Sequence, residues 1–172
     1  MKTVAKFSEA ARAAVLDGAK DVFHQFRLAE INGDYNHLWV PRSLDGYAQL
    51  SVQFEQDYRV TENFWTTPQS SYTLQTILIL FENSPVWWMT CAGECRSEGV
   101  AFLQEALAAN YRTGEFRAGR GDSVYKPADL GYMNSALFTS FSNFSGHDQV
   151  CRITNGSSQI LSLHDFSGHS FI

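Results

Sequence analysis

Histidines and aspartates gather in the last third of the chain, where their side chains could serve acid, base or metal chemistry. His147 and Asp148 are adjacent, and His164, Asp165 and His169 all lie within the run LHDFSGH. Imidazoles and carboxylates are metal ligands, and a carboxylate can also orient a histidine base. Neighbouring residues on a strand point to opposite faces, however, so His164 and Asp165 cannot serve one site without a bulge. We predict no metal site, no cofactor and no catalytic residue here, and retain His164 as a candidate ligand-binding residue.

The segment RAGRG, residues 117–121, combines two guanidinium groups with two glycines just after a predicted helix. Exposed backbone amides and forked guanidinium donors can bind a carboxylate or a phosphate. The spacing matches neither a Walker loop nor a dinucleotide-binding fingerprint. Arg117 and Arg120 are therefore candidate ligand-binding residues, with an ordinary connecting loop as the alternative.

The three cysteines, Cys91, Cys95 and Cys151, are odd in number and show no metal-site spacing. A Cys-His nucleophile pair would need one of these thiols to meet a histidine in space. Cys91 and Cys151 lie in apolar, strand-like runs, where a buried thiol is the common outcome. We expect reduced, unreactive cysteines.

Aromatic residues are abundant, with 13 Phe, 7 Tyr and 4 Trp. Trp87 and Trp88 are adjacent in the run PVWWMT, so on a strand one must face the core and the other the opposite side. Together with Trp65 and Tyr132, they are our candidates for an aromatic-lined pocket or binding face. A second subunit or the residues before Gly46 could equally cover the outward tryptophan.

Charge and hydropathy exclude several classes of protein. The chain has 18 acidic and 13 basic residues, a formal net charge of -5, and no Lys/Arg cluster that would bind a phosphate backbone. We therefore expect no nucleic-acid partner. No apolar run approaches the roughly 20 residues that cross a bilayer, and charges interrupt the N-terminal segment where a signal peptide has its apolar core. We expect a cytoplasmic protein without a membrane partner.

Two segments have helical periodicity. Apolar residues recur at about 3.6-residue spacing from Phe7 to Phe26, Ser8 is placed to cap the first turn, and Asn32-Gly33 is a stop signal. This pattern predicts a helix over residues 8–31. Ser97 is the predicted N-cap before a second helix, EGVAFLQEALAANY.

The remaining segments predict strands. Residues 47–65 alternate imperfectly between apolar and polar, and residues 75–95 contain two apolar runs around a Glu-Asn-Ser-Pro break, which indicates a buried hairpin. Three further strand-like runs cover residues 132–141, 148–153 and 159–166, with Asn155-Gly156 as a hairpin signal. No sequence repeat or linker divides the chain. The elements predict a single α+β domain with a mostly antiparallel, curved sheet and two helices on one face.

Several of these segments also resemble a known family. The Pro-Val-Trp arm, the helix VAFLQEALAANY, the Gly-Arg-Gly loop and the closing Phe-x-Gly of DFSGHSFI are similar to the bacterial family named domain of unknown function 5680. The resemblance covers residues 55–172 and implies a small cytosolic α+β domain, with a core over residues 47–172, but no established activity. Asp122 stands where the family pattern has proline, so no fixed role of the loop carries over. Some members carry a helix-turn-helix, which the first 54 residues here do not suggest.

Three functions remain open from the sequence. The favoured one is a non-catalytic domain that binds a small molecule or a protein through an aromatic-lined pocket or face. The second is a small enzyme with His164, Asp148 or a loop arginine in a cleft, although the alternation does not place two ionisable residues on one inward sheet face. The third is a structural domain that forms a homodimer.

Overall fold

The described residues form two α-helices, one short 3-10 helix and nine strands, and the order of the longer elements follows the sequence patterns. The structure is a computed structural model that describes residues 7–41, 45–55, 57–67, 69–121, 124–126 and 129–172. Asp122 and Pro127, which the sequence places in a turn-rich passage, lie outside the described residues.

The first half of the chain is one helix followed by a strand meander. Helix α1 spans Glu9–Ile31, and the Ser8 side chain accepts a hydrogen bond from the Ala11 amide, as predicted. A short 3-10 helix at Asn36–Leu38 leads to the strands. These are β1 (Val40–Pro41), β2 (Tyr47–Phe54), β3 (Tyr58–Thr67), β4 (Ser70–Phe81) and β5 (Ser84–Cys95).

The second half repeats the pattern. Helix α2 spans Ser97–Tyr111, and β6 (Val124–Tyr125), β7 (Leu130–Ser140), β8 (Asn143–Thr154) and β9 (Ser157–Ser170) follow. The prediction of Ser97 as N-cap is wrong, because Ser97 is already the first residue of the helix. Arg96 is the cap residue, and its side chain makes no capping hydrogen bond. Asn155 and Gly156 both have positive φ in the tight turn between β8 and β9, which confirms the predicted hairpin.

The nine strands form one antiparallel, curved sheet that does not close. Its order is β1-β2-β3-β4-β5-β9-β8-β7-β6. A helix followed by an antiparallel meander therefore occurs twice, with five strands (β1 to β5) in the first half and four (β6 to β9) in the second, and the two meanders join where β5 pairs with β9. This topological duplication is invisible in the sequence, which has no detectable repeat. The predicted α+β class is confirmed.

Both helices cover the same face of the sheet, which we call the inner face. The predicted hairpin at its centre is longer than the two apolar runs suggest, because polar residues continue both β4 and β5. Trp87 of β5 is fully buried on the inner face: its ring stacks on Phe141 with centroids 4.7 Å apart and also contacts Phe23 of α1. Trp88 lies half-buried on the outer face, where the strand register places it between Leu78 and His169.

Candidate functional site

An open cleft of about 720 Å³ lies between the two helices and the inner face of the sheet. Its walls are largely apolar, and its polar groups come from the end of α1 and the segment after it, from β4, from α2 and from the loop after α2. The apolar and aromatic lining residues are Ile31, Trp39, Ala48, Phe64, Val100, Leu103 and Leu107. Trp39 and Phe64 meet edge to face, with ring centroids 6.5 Å apart. The charged lining residues are Arg27, Glu30 and Arg120.

Arg27 is a buried guanidinium at the α1 side of the cleft. Its Nε donates to the Tyr111 hydroxyl at 3.3 Å, and its Nη1 pairs with Glu30 and lies 3.6 Å from Glu62 Oε1. Burial by itself would lower the pKa of Arg27, but the nearby carboxylates, Glu30 first, raise it above its ordinary value. Arg27 is therefore a fixed positive charge, shared between two acidic residues.

Glu62 lies beneath this charge and is fully buried. Gln75 Nε2 donates to its Oε1, whereas Oε2 has no hydrogen-bond partner in the part of the chain that the structure describes. Burial raises the pKa of Glu62 well above its ordinary value, and the negative charge of Glu30 raises it further. The positive charge of Arg27 opposes this shift. The Arg27 guanidinium lies closer to Glu30 than to Glu62, however, and pairs mainly with Glu30. The geometry therefore favours the neutral acid at Glu62.

Arg120 reaches the cleft from the loop after α2 and is anchored from behind. Its Nε donates to Asp148 Oδ2 at 2.6 Å, and both side chains are almost completely buried. Its two terminal nitrogens have no acceptor among the described residues, although Arg120 lines the cleft. Burial would lower the pKa of Arg120, but the Asp148 carboxylate raises it well above its ordinary value. Arg120 is therefore a charged side chain with a fixed orientation. Its terminal N–H groups are not bonded to any described residue.

Asp148 is the centre of a buried hydrogen-bond network behind Arg120. Besides the Arg120 bond, it accepts from the Tyr132 hydroxyl at 3.1 Å and contacts His164 Nδ1 at 3.1 Å. The Tyr132 hydroxyl in turn accepts from the Gly121 amide at 2.9 Å, which ties the Arg120 loop to the sheet. Burial would raise the pKa of Asp148, but the charge of Arg120 and the hydrogen bonds from His164 and Arg120 lower it to about 2. Asp148 is thus an anion with its oxygens occupied.

Strand register explains how these residues meet. Asp148 of β8 is directly opposite His164 of β9, and both point to the inner face. The expectation that no two ionisable residues share an inward face is therefore wrong, because the alternation within one strand does not reveal its register against the next. Gly93 is the partner of His164 on the other side, and a Cβ there would lie 2.0 Å from Leu163 O and 2.8 Å from the imidazole. Glycine at this position makes room for the histidine.

The structure brings together three of the seven residues that the sequence proposed for ligand binding: Arg120, Tyr132 and His164. Of these, Arg120 lines the cleft, whereas Tyr132 and His164 are buried behind it. Arg117 is partly exposed and pairs with Glu115 at 2.7 Å.

The three candidate tryptophans do not meet and do not line the cleft. Trp87 lies in the core, Trp88 lies on the outer face, and Trp65 stacks on Tyr47 across the outer face, with ring centroids 5.0 Å apart. The aromatic residues of the cleft are Trp39 and Phe64 instead. Phe64 belongs to the alternating run that the sequence marked, but Trp39 follows a helix end in a segment without periodicity, and we find no sequence signal for it.

The cysteines and the remaining histidines suggest no further chemistry. Cys91 and Cys151 are buried, as expected, and burial raises the pKa of the Cys91 thiol. Cys95 borders the cleft, but burial raises the pKa of its thiol as well, which leaves it a weak nucleophile. Across the described ranges, no three His, Cys, Asp or Glu side chains are grouped so that they could hold a metal ion. None of the described helices has the length and apolar character that a bilayer crossing requires.

Comparisons with known proteins add no functional assignment. No family model matches the chain, and neither the curated proteins nor the solved structures contain a match. The similarity to the domain of unknown function 5680 family therefore stays a prediction from the residues.

Proposed function

We propose that this protein is a non-catalytic module that binds a small molecule in the cleft between α1, α2 and the inner face of the sheet. The cleft carries the proposal. Its volume of about 720 Å³ is within the roughly 300–1,000 Å³ of ordinary ligand sites, and it combines apolar walls with a few placed polar groups. Trp39 and Phe64 supply an aromatic wall, although neither is among the aromatic residues that the sequence proposed for ligand binding.

The fixed charges of the cleft also support binding. Arg27 and Arg120 are each held by carboxylates and hydrogen bonds before any ligand arrives. Ligand sites whose polar groups are already ordered lose little side-chain entropy on binding. The cleft is therefore built to recognise a polar group at one end of an otherwise apolar molecule.

The enzyme alternative depends on His164, Asp148 and Arg120. These three side chains do meet, but Asp148 is occupied by Arg120, Tyr132 and His164, and it is fully enclosed. A general base must reach the proton that it abstracts within hydrogen-bonding distance. Because only Arg120 of the three lines the cleft, the network favours a positioning role over acid-base catalysis.

A neutral fluorescent probe tests the proposal. 1-N-phenylnaphthylamine gains fluorescence in apolar sites, and we expect saturable binding with one site per chain. Val100→Trp should weaken this binding at least about tenfold, which corresponds to about 1.4 kcal/mol, because Val100 lines the cleft and is 40% exposed, so a larger side chain fills the mouth without overpacking the core. Ala101→Trp is the matched control: Ala101 is the next residue of α2, exposed and outside the cleft lining.

Two results would contradict the binding function. The first is the absence of saturable probe binding by the unmodified protein. The second is an equal effect of Val100→Trp and Ala101→Trp, which would place the bound probe elsewhere. Circular dichroism of both variants checks that the helices and the sheet are intact.

A further inference from the structure

The polar end of the cleft has donors that no described residue accepts from. Arg120 is 3% exposed, and its guanidinium makes a single hydrogen bond among the described residues, from Nε to Asp148. A buried donor without an acceptor is costly, and a charged donor more so. The terminal nitrogens of Arg120 are therefore candidates to bind an acceptor in the cleft, which Arg120 lines.

Arg27 differs from Arg120 in this respect. Its Nε and Nη1 already bond to Tyr111 and Glu30, and Glu62 lies 3.6 Å from Nη1. Two acidic side chains surround Arg27, whereas a single carboxylate, Asp148, neutralises Arg120 from the side away from the cleft. More of the donors of Arg27 are therefore already used within the described residues than those of Arg120.

The geometry points to a small organic carboxylate with a flat apolar body as the ligand class, with its carboxylate on the terminal nitrogens of Arg120. This inference rests on the proposed binding function and assigns its specificity. A planar guanidinium fork matches a planar carboxylate with two parallel hydrogen bonds. The flat body fits the wall formed by Trp39, Phe64 and Leu103.

The network behind Arg120 then has a clear task. Asp148 fixes the Nε side of the Arg120 guanidinium, and this contact sets the orientation of the two terminal nitrogens. Tyr132 and His164 fix Asp148 in turn. The Tyr132 hydroxyl also accepts a hydrogen bond from the Gly121 amide, and this bond holds the backbone next to Arg120. Asp148, Tyr132 and His164 are positioning residues, because they act on the ligand through Arg120.

Isothermal titration calorimetry with two isosteric probes tests this assignment. 2-Naphthoate and 2-naphthamide have nearly the same shape, but only the first carries a carboxylate. We expect the unmodified protein to bind 2-naphthoate at least about tenfold more tightly than 2-naphthamide, since a charge-assisted, bidentate hydrogen bond replaces a neutral one.

Two variants separate the role of Arg120 in binding from its role in folding. Arg120→Lys keeps a positive charge beside Asp148 but lacks the fork, and it should lose most of the preference for naphthoate. The double variant Arg120→Gln with Asp148→Asn removes both buried charges together, so no unpaired charge remains, and it should bind the two probes within about twofold of each other.

The outcomes distinguish this inference from the function on which it rests. If the unmodified protein binds 2-naphthamide and 1-N-phenylnaphthylamine but shows no preference for 2-naphthoate, the ligand class is wrong and the binding module stands. A naphthoate preference that survives in both variants would overturn the role of Arg120. If none of the three probes binds, the binding function fails first.

Discussion

Asp148→Ala tests whether the buried network is a structural necessity. Asp148 is fully enclosed, and its carboxylate is the sole ionic partner of Arg120 among the described residues. The substitution leaves Arg120 as a buried, unpaired charge and removes an acceptor from Tyr132 and from His164. We expect this single change to be strongly destabilising.

The expected size of the effect follows from the burial of both partners. Breaking a buried ion pair by removing one partner costs about 3–5 kcal/mol. That is a large part of the roughly 5–15 kcal/mol that stabilises a natural domain. At about 2–4 °C per kcal/mol for a chain of this size, the melting temperature should fall by about 6–20 °C.

Urea denaturation followed by circular dichroism measures the change in the free energy of unfolding. The matched control is Asp165→Ala. Asp165 is also an aspartate in the paired part of the sheet, but it is exposed on the outer face of β9. Its removal should change stability by no more than about 0.5 kcal/mol.

The pH dependence gives an independent measurement of the same interaction. The pKa of Asp148 is lowered to about 2 in the folded protein, below the unfolded value near 3.8. A lowered pKa contributes stability above the unfolded pKa, and this stability is lost as the pH falls through the folded pKa. The contribution, on the order of 2 kcal/mol, should disappear between about pH 5 and pH 2 and be missing in Asp148→Asn.

A loss below about 1 kcal/mol for Asp148→Ala would refute this account of the network. So would a double-mutant cycle with Arg120→Met in which the two losses simply add, because residues that form one ion pair must be energetically coupled.

Three further predictions concern the core and the two faces of the sheet. Glu62→Gln should stabilise the protein at about pH 8 by roughly 1 kcal/mol and have less effect near pH 4, because a group with a raised pKa costs stability as the pH rises above its unfolded pKa. Equal effects in thermal melts at both pH values would contradict a neutral Glu62 side chain. Trp87→Ala should lower the free energy of unfolding, measured by urea denaturation, by about 3–5 kcal/mol, and Trp88→Ala should lower it clearly less, since of the two only Trp87 is fully buried. Similar losses would mean that the two faces of the sheet are misassigned. Gly93→Ala should lower the melting temperature by at least about 5 °C and shift the His164 imidazole resonances in NMR spectra, because the added Cβ has no space beside the ring. An unchanged melting temperature would contradict this tight packing around Gly93.

Local sequence patterns were sufficient for the two helices and for the longer strands, but not for the short strands β1 and β6. Apolar periodicity with Ser8 and Asn32 at its ends predicts α1 within about a residue, and Asn155-Gly156 predicts its hairpin turn. These elements depend on backbone preferences and caps that act within a few residues. Strand lengths were underestimated, because polar residues continue β5 and β9 through ladder hydrogen bonds that depend on the neighbouring strands.

Pairs of residues from distant segments were harder to foresee. The sequence identified Arg120, Tyr132 and His164 separately, but each seemed to belong to a different feature. Asp148 and His164 meet because β8 and β9 pair in one particular register, and Arg120 joins them from a loop that is 28 residues before Asp148. Such contacts follow from strand register and loop path, which no single segment encodes.

The sequence by itself determined the α+β class, the coarse order of helix, strands, helix and strands, and the division of Trp87 and Trp88 between opposite faces, since alternation on a strand is a local property. It also identified one arginine that lines the cleft. The tertiary structure alone decided which tryptophan is buried, where the cleft lies and that Trp39 and Phe64 line it. The physical reason is that a cleft is the space left between α1, α2 and the sheet, and its shape depends on how all of these elements pack together.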